Sequence, residues 1–113
     1  MLYELRIYHC APSRMPALLK RFEEVTLKKW DEHGIRQAGF WTVEIGDNNH
    51  DLYYMLEWES LAEREEKWNA FQADPEWIKA RADSEKDGPI LKSDEISSIF
   101  SPLTRLYVPF SIY

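Results

Sequence analysis

Between His33 and Arg64 the chain alternates large apolar and polar residues twice, in Arg36 to Ile45 and in Leu52 to Trp58, on either side of the polar run Asp47 to Asp51. Period-two alternation across an Asp/Asn-rich turn predicts a β-hairpin. Ser60-Leu61-Ala62-Glu63 follows at once, and its Ser-x-x-Glu spacing is that of a capping box at a helix N-terminus. Gly39, inside the first of these strands, signals a bulge or the close approach of another backbone.

The same reading extends outward. Leu2 to Tyr8 alternates and forms a first strand. Ser13 is placed to cap a first helix and Pro16 falls in its opening turn, where a missing N–H is harmless. That helix runs to about His33 on a stripe of Met15, Leu18, Leu19, Phe22, Val25 and Trp30, and Gly34 ends it. The second helix is expected to bury Leu61, Trp68 and Phe71 and to carry a Glu63–Lys67 pair on its solvated face. Asp74-Pro75 stops it and starts a third helix with Trp77 and Ile78 turned inward. Gly88-Pro89 breaks the chain before a weaker strand over about Ser93 to Phe100.

The order β-α-β-β-α-α-β predicts an α+β fold, a ferredoxin-like sandwich: a four-stranded antiparallel sheet in the order 4-1-3-2 with helices on one face. The alternation assigns Leu5, Ile7, Trp41, Val43, Tyr54, Leu56 and Trp58 to the helix side. It leaves Glu4, Arg6, Tyr8, Phe40, Thr42, Tyr53, Met55 and Glu57 on the other side. That second face is too apolar for plain solvent surface and too charged for a monomer core, so a second copy of the chain is expected to cover it as a homodimer.

Length and charge narrow the partners. At 113 residues the chain reads as one domain over 1–113, with a core to about 103 and an aromatic tail over 104–113 that packs on its own subunit or crosses the dimer. A net charge of −6 without a basic cluster excludes nucleic acid. The longest apolar run, the five residues Leu52 to Leu56, excludes membrane insertion, which needs roughly twenty. No signal-peptide pattern opens the chain, and a single cysteine, Cys10, fits a reducing compartment; the expected location is cytoplasmic.

Tyr3-Glu4-Leu5-Arg6-Ile7-Tyr8, Gly39-Phe40-Trp41, Glu44-Ile45-Gly46 and Glu59-Ser60-Leu61-Ala62-Glu63-Arg64, in this order and spacing, resemble the NIPSNAP family over about residues 1 to 103. The resemblance implies the dimeric α+β barrel superfamily, in which two ferredoxin-like sheets face each other across a dimer. It brings no set of catalytic residues, and the wider superfamily includes cofactor-independent monooxygenases, haem-binding enzymes, isomerases and binding proteins. The chain departs from the family at strand three, with Tyr54 and Leu56 where a His and a Trp are common, and at Ser13, where a Gly is common.

The three histidines, His9, His33 and His50, lack metal-ligand spacing, and no cysteine pair exists, so neither a metal nor a cofactor is expected. His33 precedes a helix-ending Gly and suits a helix C-terminus, where the dipole favours a cation. Glu4, Arg6 and Glu57 would form a charged ladder on adjacent strands. Trp30, Trp41, Tyr54, Trp58 and Trp68 line the sheet–helix layer, either as core or as a pocket for a small apolar or aromatic ligand. If that pocket is catalytic, Tyr54 or His33 is the acid or base and Arg36 the anion partner. Two functions stay open: a ligand-binding dimer, in the extreme a cofactor-independent oxygenase or isomerase, and a non-enzymatic dimer serving protein interaction.

Overall fold

The computed structural model describes residues 1–92 and 95–103, so the expectations for the tail over 104–113 fall outside the described residues. The elements are β1 (Leu2–His9), α1 (Met15–Arg21), a π-helical turn (Phe22–Thr26), α2 (Leu27–His33), β2 (Arg36–Thr42), β3 (Asp51–Trp58), α3 (Leu61–Gln72), α4 (Pro75–Ser84) and β4 (Ile96–Phe100). The strands form one antiparallel sheet in the order β2-β3-β1-β4, which is the predicted order, and the buried core lies between one face of it and the helices.

Local chemistry sets most boundaries. Ser60 Oγ accepts from Glu63 N–H at 3.1 Å, while Glu63 reaches back to Glu59 N–H at 3.3 Å. Asp74 caps α4 by accepting from Glu76 N–H at 2.9 Å. Gly34 closes α2 with φ 71°, a left-handed conformation suited to glycine. Ser13 does not cap α1: it adopts φ 66°, and Arg14 takes the cap position without a side-chain bond. A left-handed backbone at this position explains why a glycine would be at home there.

The first helical segment is continuous but not uniform. Its apolar stripe steps five residues from Val25 to Trp30, more than an α-helix can keep on one face. The buried positions instead step by four, through Leu18, Phe22, Thr26 and Trp30, and a π turn lies among them: Leu27 N–H bonds to Phe22 O, and the Thr26 hydroxyl donates to Arg21 O at 3.3 Å. Leu18, Phe22 and Trp30 are buried, whereas Leu19 is exposed. Leu61 and Ile78, also expected inside, are exposed, and the inward positions on α3 and α4 are held by Trp68, Phe71 and Trp77.

The sheet faces overturn part of the expected assignment. Opposed residues in an antiparallel pair share a face. Glu4 lies opposite Leu56, Arg6 opposite Tyr54 and Tyr8 opposite Leu52, so all three point under the helices, not toward a dimer partner. Leu5 and Ile7 take the open face. In β2 the register slips between Gln37 and Gly39, which places Phe40 opposite Tyr54 and Trp41 opposite Tyr53. Without the extra residue Phe40 would face Tyr53 and Trp41 would face Leu52; one bulged residue exchanges their sides. Phe40 therefore packs on the core at 5.1 Å from Phe22 and 5.3 Å from Tyr54, and Trp41 is 53 % exposed on the far side. Val43 falls beyond β2, which ends at Thr42.

Tyr53, Met55 and Glu57 occupy the open face as expected. They share it with Tyr3, Leu5, Ile7, Trp41, Ile96 and Phe100, and Phe100 and Ile96 lie opposite Tyr3 and Ile7. This face is more apolar than the sequence reading made it, because Glu4 and Arg6 have moved inside and Glu57, opposite Arg36, is the one of the expected charges that stays.

Candidate functional site: a donor-lined pocket beside a buried ionic hub

The hub forms because β1 turns its charged residues toward α3. Glu4 is fully buried and accepts five hydrogen bonds: Trp58 Nε1 at 3.0 Å and Arg64 Nε at 2.8 Å on one oxygen, Arg6 Nη1 at 2.9 Å, Arg64 Nη2 at 3.1 Å and Ser97 Oγ at 2.5 Å on the other. Burial alone would push this carboxyl up, but the hydrogen bonds from Arg64, Ser97 and Arg6 outweigh it and hold the group at about 2. Arg6 lies 4.5 Å over the Trp68 ring, pairs through Nη2 with Glu95, and donates through Nε to the Tyr54 hydroxyl at 2.7 Å. Burial works against the Arg6 charge, yet Tyr54, Tyr8 and Glu95 around it raise its pKa further.

A chain of hydrogen bonds leaves the hub. Tyr54 O–H donates to the Tyr8 oxygen at 2.7 Å, and the two rings meet edge-on at 5.1 Å. Burial pushes both phenols above their ordinary range, so both stay protonated. Because Tyr8 accepts from Tyr54, its own proton is free to be given elsewhere.

Tyr8 lines a narrow cavity of about 10 Å³ between the sheet and the helices, with Arg21, Phe22, Thr26, Trp30, Phe71, Gln72, Trp77, Arg81 and Glu95. That is room for at most about one water. The π turn supplies Phe22 and Thr26 to its wall; irregular helical turns of this kind are frequent at functional sites. Two of the lining residues, Trp30 at 2 % exposure and Arg21 at 6 %, bury nitrogens, Nε1 and Nε, that have no hydrogen-bond partner among the described residues. Arg21 spends its Nη1 on Ser84 Oγ at 3.3 Å and Glu85 at 3.2 Å.

The sequence-derived candidates do not come together in one place. Of the five pocket residues, Trp30 lines the pocket, Tyr54 stands one hydrogen bond behind it, Trp58 and Trp68 belong to the hub, and Trp41 lies on the opposite face of the sheet. His33 Nε2 bonds Asp74 at 2.8 Å, joined by Lys29 at 3.4 Å, and so ties α2 to the cap of α4. The His33 bond is the main reason the Asp74 carboxyl sits at about 2. Arg36 pairs with Glu63 at 3.3 Å, Glu59 at 3.5 Å and Glu57 at 3.9 Å. Neither His33 nor Arg36 lines the pocket.

Arg64, Ser97, Arg21 and the pair His9–Asp51, 2.6 Å apart, are polar contacts that the sequence reading passed over. Arg64 could have been found, since it lies four residues before Trp68 on the inward stripe of α3. Among the described residues no three His, Cys, Asp or Glu gather as a metal site.

The NIPSNAP family model matches residues 3–104. The human Protein NipSnap homolog 3A is 29 % identical over 75 residues, 66 % of this chain but 30 % of its own length, so the chain spans well under half of that relative. A crystal structure of a NIPSNAP family protein of unknown function from Agrobacterium tumefaciens superposes with TM-score 0.77 at 26 % identity, covering 90 % of this chain and 87 % of its own. A NIPSNAP-like domain protein from Burkholderia xenovorans gives TM-score 0.80 at 22 % identity, with 96 % and 89 % covered, a likeness of fold.

Proposed function

The chain belongs to the NIPSNAP family, and from that premise we propose that it works as a homodimer, closed by the open faces of two sheets, that holds a small aromatic or apolar ligand in the pocket at the π turn. The observation that carries the ligand reading is the make-up of this cavity, with aromatic walls, a π turn in one of them and buried polar groups from three elements; at about 10 Å³ it has to widen to admit a ring. The dimer is supported by the open face, where Tyr3, Leu5, Ile7, Met55, Trp41 and Phe100 form a continuous apolar surface across all four strands. A cofactor-independent oxygenase or isomerase reaction suits such a pocket, which supplies proton donors and aromatic cover and asks for no metal. The buried free thiol of Cys10 supports a reducing, cytoplasmic setting.

A second reading is favoured by the tight filling of the layer, where Trp30, Tyr54 and Trp58 are almost wholly buried and the pocket admits about one water. Under it the protein is a non-enzymatic dimer whose aromatic residues are core. Native mass spectrometry of freshly purified protein separates the two. The ligand reading expects a dimer with retained mass, or saturable uptake of a small aromatic. A dimer that takes up none favours the second reading, and a monomer overturns the dimer.

A further inference from the structure

We propose that the contact between His9 and Asp51, at one end of the open sheet face, makes self-association depend on pH: the dimer tightens as the solution becomes more acid, by uptake of a proton at each His9. This regulation rests on the open face being the dimer contact.

Strand pairing puts the two side chains on the same side as the apolar patch. His9 lies opposite Asp51 in the β1–β3 ladder, two residues beyond Ile7; Ile7 lies opposite Tyr53, and Tyr53 opposite Trp41. The pair therefore continues the face that meets a second copy. His9 Nδ1 stands 2.6 Å from Asp51 Oδ1. The Asp51 side chain is already 8 % exposed and that of His9 27 %, so the imidazole is the part that a covering subunit still has to remove from water. Backbone bonds hold the strand end in place: Lys92 N–H donates to His9 O at 2.7 Å, and Cys10 N–H to His50 O at 2.9 Å.

Two protonation states compete at this contact. With a neutral imidazole, Nδ1–H donates to the carboxylate and the pair carries one negative charge; with an imidazolium it carries none. Under a second subunit the first state leaves an uncompensated carboxylate in each chain, and burying a net charge costs more than burying a matched, hydrogen-bonded pair. The surroundings do not supply the missing cation. Among the described residues Asp51 is the one ion partner of His9. β3 otherwise turns Tyr53 to this face, the turn before it brings Asp47 and His50, both exposed, and the segment after α4 brings Lys92, exposed and paired with neither His9 nor Asp51. Arg36 lies opposite Glu57, at the far end of β3. With a net charge of −6 on each chain, a proton on each His9 also lowers the repulsion between copies.

Sedimentation equilibrium of the full chain at constant ionic strength, between pH 8 and pH 6, is the test. The dimer Kd of the unaltered protein should fall at least about tenfold over this range, within the limit that linkage sets of about tenfold per pH unit for each proton taken up. His9→Gln keeps an N–H for Asp51 but does not titrate, and should hold one Kd throughout. It leaves His33, His50 and the α-amine in place, so a slope that survives in this variant belongs to them and overturns the proposal. A flat profile in the unaltered protein, or a Kd that rises with acid, overturns it as well. Should His9→Gln fail to fold, a His33→Gln/His50→Gln double variant decides: the slope is kept if His9 carries it, and its loss overturns the proposal. A chain that is monomeric at both ends of the range overturns the dimer itself, a result distinct from a dimer indifferent to pH.

Discussion

The two faces of the sheet are built on opposite principles. Under the helices, β1 contributes Glu4, Arg6 and Tyr8; toward the open side the same strand contributes Tyr3, Leu5 and Ile7. The polar residues are the buried ones. Glu4 collects five donors and Arg6 a carboxylate on each side, so desolvation is answered by hydrogen bonds at every lone pair that matters. Among the described residues the open face carries one loose ion pair, Arg36–Glu57 at 3.9 Å, beside the His9–Asp51 contact at its other end, and no helix lies over it, so its apolar residues are what a second copy can cover. Inside and outside are set here by which groups can be satisfied, not by which are most hydrophobic.

Removing the hub's centre should have the largest effect. Glu4→Ala leaves Arg6 and Arg64 facing each other beneath α3 without their carboxylate, and should cost about 3–5 kcal/mol in urea unfolding. An equal substitution on the other face, Leu5→Ala, should leave the folded subunit nearly as stable while weakening self-association. Similar unfolding losses from both would erase the distinction between the faces.

Acid probes the same hub without mutation. Because the Glu4 carboxyl is held at about 2, below its usual 4.5, its contribution is present above pH 4.5 and is lost as pH falls toward 2. From the size of that shift, the loss should reach roughly 3 kcal/mol in chemical unfolding across this window. A Glu4→Gln variant should show a visibly flatter profile over the same range, and equal slopes would remove Glu4 from the account.

The bulge offers a smaller lever. Gly39 has φ 151°, and a Cβ there would come 2.8 Å from the Trp41 ring. Gly39→Ala should cost about 1–3 kcal/mol and displace Trp41 from its place on the open face, which a red-to-blue change in tryptophan emission or its absence would report. Smallest of all, Ser13→Gly should stabilise by under about 1 kcal/mol, since it relieves a left-handed backbone while adding chain entropy. A loss of stability there would show that the Ser13 side chain contributes something its backbone conformation hides.

These residues also show where the sequence was readable. The Asp/Asn turn, the Ser60 and Asp74 caps and Gly34 act through local chemistry, and each stands where the pattern placed it. Sheet order followed from short connections. Face assignment failed at β1 because alternation gives two sets of residues but not which set goes in, and hydrophobicity chose wrongly where ion pairs could be satisfied. In β2 the bulge was visible as Gly39, but its one-residue slip, which exchanges Phe40 and Trp41, depends on pairing with β3. The pocket was legible only in part: Trp30 lay on a clear stripe, whereas Arg21, at the end of α1, and Thr26, in the π turn, are polar positions that the apolar pattern does not mark. The hub drew on Arg64 and Ser97, brought to Glu4 from 60 and 93 residues away.

Sedimentation equilibrium of the unaltered protein beside Leu5→Glu tests most directly whether the open face is the one a second copy covers. The first should be a dimer and the second a folded monomer, with circular dichroism unchanged between them. A monomer for the unaltered protein at micromolar concentration, or a dimer that survives a charge at Leu5, would contradict it.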